Sequence, residues 1–178
     1  HSYRNDADDI TFTCVQRDDG IYLVIVSDSG ISPGDGEFLI SAVGTRPRVV
    51  VDANDKAVIC YEDAGHIWVY DDSDASTTDF GVGIQPVITK DQDGDLFLGY
   101  KDATEYGYSQ RSGGAWSAFA EIPAAYVPTG DQVVLHDAFL LHRREAGVTK
   151  YLILIWYVNQ NGNYHLEYSL TGGGLTGW

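Results

Sequence analysis

Residues 46–64, RPRVVVDANDKAVICYEDA, and residues 85–103, QPVITKDQDGDLFLGYKDA, align without a gap. Pro47 and Pro86, Asp52 and Asp91, Tyr61 and Tyr100, Asp63 and Asp102, and Ala64 and Ala103 all stand 39 residues apart. A constant spacing in this range marks a stacked repeat, in which one small unit buries its apolar face only against the next.

A third copy precedes these at a slightly different spacing, TCVQRDDGIYLVIVSD, aligned through Asp19-Gly20 on Asp93-Gly94 and Asp28 on Asp102. A degenerate fourth follows in KYLILIWYVNQNGNYHLEYS. Each unit reads as an apolar run, a turn rich in Asp, Asn and Gly, a second run of β-branched and aromatic residues, another turn, and a shorter third run. No long segment carries the i, i+3, i+4, i+7 apolar spacing of a helix, so the fold class expected is all-β.

Three or four short strands per unit at a period near 40 fit a β-propeller of four-stranded antiparallel blades. A β-sandwich built of hairpins is the competing architecture, but it does not require internal sequence identity. In the clearest unit the strands are expected at 86–90, 96–101, 106–110 and 116–122. The units run over 10–43, 46–83, 85–122 and 132–178, giving one domain across 1–178 with about four blades. The last unit stops where a fourth strand is due. The N-terminal HSYRNDADD could supply it and seal the ring, removing exposed sheet edges. The alternatives are a slice of a larger propeller or a ring completed by another copy.

The chain has 178 residues, 44% of them hydrophobic, enough for a substantial core. Its formal net charge is −15, from 26 acidic and 11 basic residues, which argues against a surface that neutralises nucleic-acid phosphates. No apolar run is long enough to span a membrane as a helix, and YLILIWYV reads as a buried strand. The chain opens on His1 and contains no Met, so a leader or flanking sequence is expected to have been removed. Cys14 and Cys60 fall on strands of adjacent units, where two buried thiols are favoured over a disulfide between blades. No close Cys/His cluster suggests zinc.

Ser109-Gln110-Arg111-Ser112-Gly113-Gly114-Ala115-Trp116 carries Ser, Gly and Trp at the spacing of S-x-D-x-G-x-T-W. With P-x-x-x-x-D-x-D-G and L-x-Y-x-D-A earlier in the unit, it resembles the Asp-box repeats of sialidase-like, bacterial neuraminidase-type propellers. Arg111 and Ala115 depart from the motif, and Ser169–Trp178 is a looser version; the resemblance covers residues 45–123 well. It implies a propeller fold and a structural turn, with Trp116 and Trp178 packed between blades, on the face opposite the family's usual site.

In a four-stranded blade, the turns joining the second and third strands share one face with the linkers between blades. Asp28, Asp63, His66, Asp102, Arg46, Gln85 and the 124–137 insertion are expected there, with Arg17-Asp18-Asp19-Gly20, Asp52–Asp55 and Asp91–Asp95 on the opposite face. The ligand candidates are Arg46, Asp63, His66, Asp102, Tyr106, Tyr126 and His136, with Trp68 if its ring escapes the packing between blades. Carboxylates, arginine and aromatic rings of this kind suit sugar hydroxyls and pyranose faces. The repeated Asp28, Asp63 and Asp102 are equally read as turn formers.

Seven arginines, with adjacent Arg143 and Arg144 pointing to opposite faces of a strand, make a three-arginine clamp hard to build, so no catalytic residue is assigned. The Asp-rich turns resemble calcium loops but lack the later bidentate acid, and hairpin turns explain them better; no cofactor is expected. The function expected is lectin-like binding of a glycan, extracellular or on a virion. A receptor-attachment module of a larger assembly such as a viral tail or spike, or a homo-oligomer, is the second reading, and a glycoside hydrolase or lyase the third.

Overall fold

The computed structural model describes residues 2–5, 10–27, 36–90, 94–102, 106–121, 133–145, 148–160 and 163–170. The described residues form antiparallel sheets and no helix. The first sheet holds β1 (Ser2–Asn5), β2 (Ile10–Arg17), β3 (Gly20–Ser27) and β4 (Gly36–Ser41), in that order. The second repeats the pattern with β5 (Thr45–Val51), β6 (Ala57–Asp63), β7 (His66–Asp71) and β8 (Ser76–Val82). The third holds β9 (Ile84–Lys90), β10 (Leu96–Lys101) and β11 (Tyr106–Ser112). Its outer strand is split into β12 (Ala115–Trp116) and β13 (Ala120–Glu121). The fourth holds β14 (Val133–Glu145), β15 (Val148–Gln160) and β16 (Asn163–Leu170).

The first strands of successive sheets lie against one another: β1 on β5, β5 on β9, and β9 on β14. The sheets therefore stack as the blades of an open propeller portion, as the repeat implies. Burial grades across each blade. All but the last two residues of β6, AVICYED, are buried, because apolar blades cover both faces of the sheet. The outer β8, STTDFGV, is largely exposed, and its β-branched, polar composition suits an edge that meets water.

Two cores fill the seams. Phe12, Cys14, Ile21 and Leu23 of the first blade meet Val49, Val51, Ala57, Ile59 and Tyr61 of the second. The opposite face of the second blade, with Val50, Val58, Cys60, Ile67 and Val69, meets Ile88, Leu96, Leu98 and Tyr100 of the third. The two cysteines thus belong to different seams. No disulfide forms among the described residues; both are buried thiols, and burial pushes each thiol pKa upward.

The strands of the third blade fall close to their expected positions, except that 116–122 is two short strands. The N-terminal segment departs further from expectation. Instead of sealing the last blade, β1 pairs with β2 as the inner strand of the first. Its Tyr3 packs against both seams, with Lys90 Nζ 5.6 Å from the ring centroid. The first blade therefore begins at Ser2 rather than residue 10, and β2 is its second strand. Asp18-Asp19 joins β2 to β3 just as Ala64-Gly65 joins β6 to β7, because Arg17 pairs with Gly20 as Asp63 pairs with His66. The Arg17–Gly20 turn consequently lies on the same face as Ala64-Gly65, not opposite it. The alignment through Asp-Gly placed it one strand out of register.

Candidate functional site

The end of the array bearing the interblade linkers collects polar groups along the blade seams. Arg46 and Gln85, one near the start of each inner strand, both adopt left-handed backbone, with φ of 54° and 58°. This conformation is unfavourable for residues with a Cβ, and the preceding blade holds it in place each time. The Arg46 N–H donates to Gln16 Oε1 at 2.9 Å, and the Gln85 N–H donates to the Glu62 carboxylate. Gln16 and Glu62 occupy matching positions, one residue before the ends of β2 and β6. The Arg46 guanidinium is half exposed, its Nε 3.8 Å from Glu62 Oε2. A polar row, Gln16–Arg46–Glu62–Gln85, thus crosses three blades.

Beside this row stands the β6–β7 hairpin. Ala64 and Gly65 have φ of 49° and 79°, the paired positive values of a two-residue turn that follows strand twist. Gly65 C=O accepts from the Gly83 N–H of the next linker at 2.9 Å, which fastens the turn. His66 follows, its Nδ1 3.1 Å from both carboxylate oxygens of Asp79 on β8. A carboxylate only accepts, so it selects the tautomer with the proton on Nδ1 and leaves Nε2 an acceptor. The Gly81 N–H, donating at 2.7 Å, and His66 hold the Asp79 pKa below the usual carboxylate value. His66 and Asp79 are both well exposed.

Of the sequence candidates, the structure brings Arg46, Asp63 and His66 to this end. Asp102 follows β10, the strand matching β6, and is half-buried. Tyr106 opens β11 opposite Lys101, and His136 sits at a register shift in β14; for both, backbone alone is described. Tyr126 and Asp28 lie outside the described residues. Trp68 does not escape the packing: its ring lies on the first seam, its Nε1 is buried without a hydrogen-bond partner, and His66 stacks beside it at 6.5 Å. Sequence reasoning missed Gln16, Glu62 and Asp79. Matching Gln16 to Glu62 requires the strand register, and Asp79 reaches His66 only through β7–β8 pairing.

The opposite end carries a cleft of about 370 Å³ between the second and third blades, lined by Asp52, Asn54, Asp95 and Arg111 among others. Its polar groups are committed to the fold. Asp52 Oδ1 accepts the N–H groups of Asn54 and Lys56 at 2.8 and 2.9 Å, closing its own turn. Arg111, mostly buried, donates from Nη1 to Asp71 Oδ2 at 2.6 Å and places Nη2 3.6 Å from Asp52 Oδ2. A guanidinium here disfavours a cation, and among the described residues no three His, Cys, Asp or Glu side chains are grouped to hold a metal. After Arg111, Gly113 and Gly114 turn the chain with φ of 62° and 93°. Trp116 then packs edge-on against Phe80 of the second blade, centroids 5.2 Å apart.

No family model matches the chain, and no curated protein matches it. Among solved structures it is similar to an ulvan lyase of polysaccharide lyase family PL25, both alone and bound to GlcA(1-4)Rha3S. In each case the TM-score is 0.53 at 13% identity, over 92% of this chain and 46% of that one. It is also similar to an endo-arabinase from Bacteroides thetaiotaomicron, with a TM-score of 0.43 at 14% identity, over 97% of this chain and 73% of that one. The chain thus spans about half the length of the lyase, with which it shares a fold.

Proposed function

We propose that this chain is a glycan-binding portion of an extracellular, sialidase-like propeller, its Ser109–Trp116 turn a degenerate Asp-box. The observation that carries the reading is the polar row Gln16–Arg46–Glu62–Gln85, with exposed His66 and Asp79 beside it. The exposed donors and acceptors here, Gln16, the Arg46 guanidinium, His66 and Asp79, stand on the first two blades and suit the hydroxyl pattern of a saccharide, while Gln85 is buried and Glu62 half-buried. The net charge of −15 favours neutral sugars over polyanions at long range. Titration of the chain with neutral and uronate-containing oligosaccharides is the test. Saturable binding is expected, weakened roughly tenfold by Arg46→Ala or His66→Ala, a loss of about 1.4 kcal/mol. Arg111→Lys, at the opposite end, is expected to leave it unchanged. No binding to any oligosaccharide, or equal loss in all three variants, would refute the proposal.

A second reading, polysaccharide cleavage, is supported by the likeness to the lyase over 92% of this chain. It predicts new chain ends and an ultraviolet-absorbing unsaturated uronate when a uronate polysaccharide is incubated with the chain. Binding without either product would favour the lectin reading.

A further inference from the structure

The outer strand of the second blade is bent at one place. Trp68 pairs with Asp79 and His66 with Val82, so two steps along β7 are matched by three along β8. The extra residue makes a bulge at Phe80-Gly81, a device that re-aims a side chain. Gly81 has φ of 91° and open space around its Cβ position, so glycine serves the backbone there and not the packing. Phe80 packs toward the third blade, edge-on to Trp116. Asp79 stands on the other face, opposite Trp68, and its carboxylate is fixed twice, by the Gly81 N–H at 2.7 Å and by His66 Nδ1 at 3.1 Å. The His66 ring is held in turn by Trp68, which stacks at 6.5 Å. Even so, the His66 and Asp79 side chains are 40% and 39% exposed.

We propose, taking the glycan-binding reading as its basis, that Asp79 is a positioning residue of that site, setting His66 to accept from a sugar hydroxyl and to turn away a carboxylate or sulfate. With its proton on Nδ1, neutral imidazole offers only a lone pair at Nε2. A hydroxyl donates to it, whereas a uronate carboxylate or a sulfate ester has no proton to give. The charges around the ring act in the same direction. The strands packed on β7 are β6, β8 and β9. At the His66 end they bring Asp63, directly opposite His66 on β6, and Asp79 on β8. Tyr61 lies deeper on β6, its pKa raised by burial. Glu62 is turned to the Gln85 N–H and to Arg46, whose charge it offsets, and Lys90 of β9 reaches the Asp52 C=O at the opposite end. Across the seam the first blade presents uncharged Gln16, while its Arg17 is paired with Glu37. An anionic sugar substituent at Nε2 therefore meets a lone pair flanked by two carboxylates. Protonation of the ring makes both nitrogens donors, and Asp79, held below the usual carboxylate value, stays ionised beside it.

The tautomer is measured without any ligand, from the ring nitrogens of the isotope-labelled 178-residue chain by long-range nuclear magnetic resonance at about pH 8, above the range in which imidazoles titrate. The His66 proton is expected on Nδ1 in the parent and moved in part to Nε2 in Asp79→Ala. Calorimetric titration with uronate oligosaccharides, each also in its carboxyl-reduced neutral form, measures the specificity. At about pH 8 the neutral forms should bind roughly tenfold tighter or better, and at about pH 5 the gap should narrow. Asp79→Ala should weaken the neutral forms roughly two- to tenfold, the loss of one hydrogen bond. Asp79→Asn, whose amide oxygen still accepts the Nδ1 proton, should recover part. A ring spectrum identical in parent and Asp79→Ala, or a preference for uronates indifferent to pH, overturns the role of Asp79 and leaves glycan binding standing. No binding of any form, with the expected ring spectrum, refutes glycan binding itself and the role of Asp79 with it.

Discussion

Arg111 shows how one side chain takes a role that its neighbours in sequence do not announce. It stands near the end of β11, just before the Gly113-Gly114 turn. From the third blade it reaches across the seam to Asp71 and Asp52 of the second. Asp52 itself is nearly buried and already closes its own turn, so removing the guanidinium strands a carboxylate that cannot relax into water. Arg111→Leu is therefore expected to destabilise the fold by about 3 kcal/mol, as for other broken buried pairs, measured as a fall in the urea midpoint. Arg111→Lys should recover part of this. A midpoint unmoved by Arg111→Leu would show the pair to be incidental. From sequence, Arg111 is visible only as a departure from a motif, because its partners lie 40 and 59 residues away on another blade.

The linkers between blades are built around glycine for a reason of space. A Cβ on Gly44 would lie 2.6 Å from Ile21 Cδ1 and 2.7 Å from Tyr61 Cδ2. On Gly83 it would lie 2.7 Å from Ile67 Cγ1 and 3.0 Å from Tyr100 Cδ2. The two sites are register equivalents, each wedged between an isoleucine of one blade and a tyrosine of the next. Gly83→Ala should cost about 1–3 kcal/mol through overpacking, and Gly44→Ala a similar amount. Thermal unfolding of both variants checks this; a loss at one site alone would contradict the equivalence. Gly65, with nothing within 4 Å of its Cβ position, serves its turn through positive φ instead. The Tyr61/Tyr100 identity was legible in the repeat, whereas the two glycines gain their meaning from which residues pack over them.

The stacking of blades also sets where the structure is firm. The second blade is covered on both faces, so β6, with residues 57–61 all buried, should exchange its amide hydrogens slowest among the described strands. Strand β4, whose Glu37, Phe38 and Leu39 are exposed, should exchange among the fastest. Hydrogen exchange followed by mass spectrometry on peptides from each blade tests the gradient, and uniform protection across these strands would contradict it.

The spacing of Pro47/Pro86, Tyr61/Tyr100 and Asp63/Asp102 was sufficient to read an all-β repeat and to place β10 at its observed bounds, because the period of a stacked blade is written into its apolar runs and turns. Strand rank within the first blade was not legible. Asp19-Gly20 resembles Asp93-Gly94 in sequence, yet a hairpin turn looks the same locally whether it joins first to second or second to third strands. The inner pairing of β1 with β2, and its packing on β5, settled that rank, and with it the face that Arg17 occupies. The polar row depended on the same contacts, since Gln16, Arg46, Glu62 and Gln85 become neighbours only when successive inner strands lie side by side.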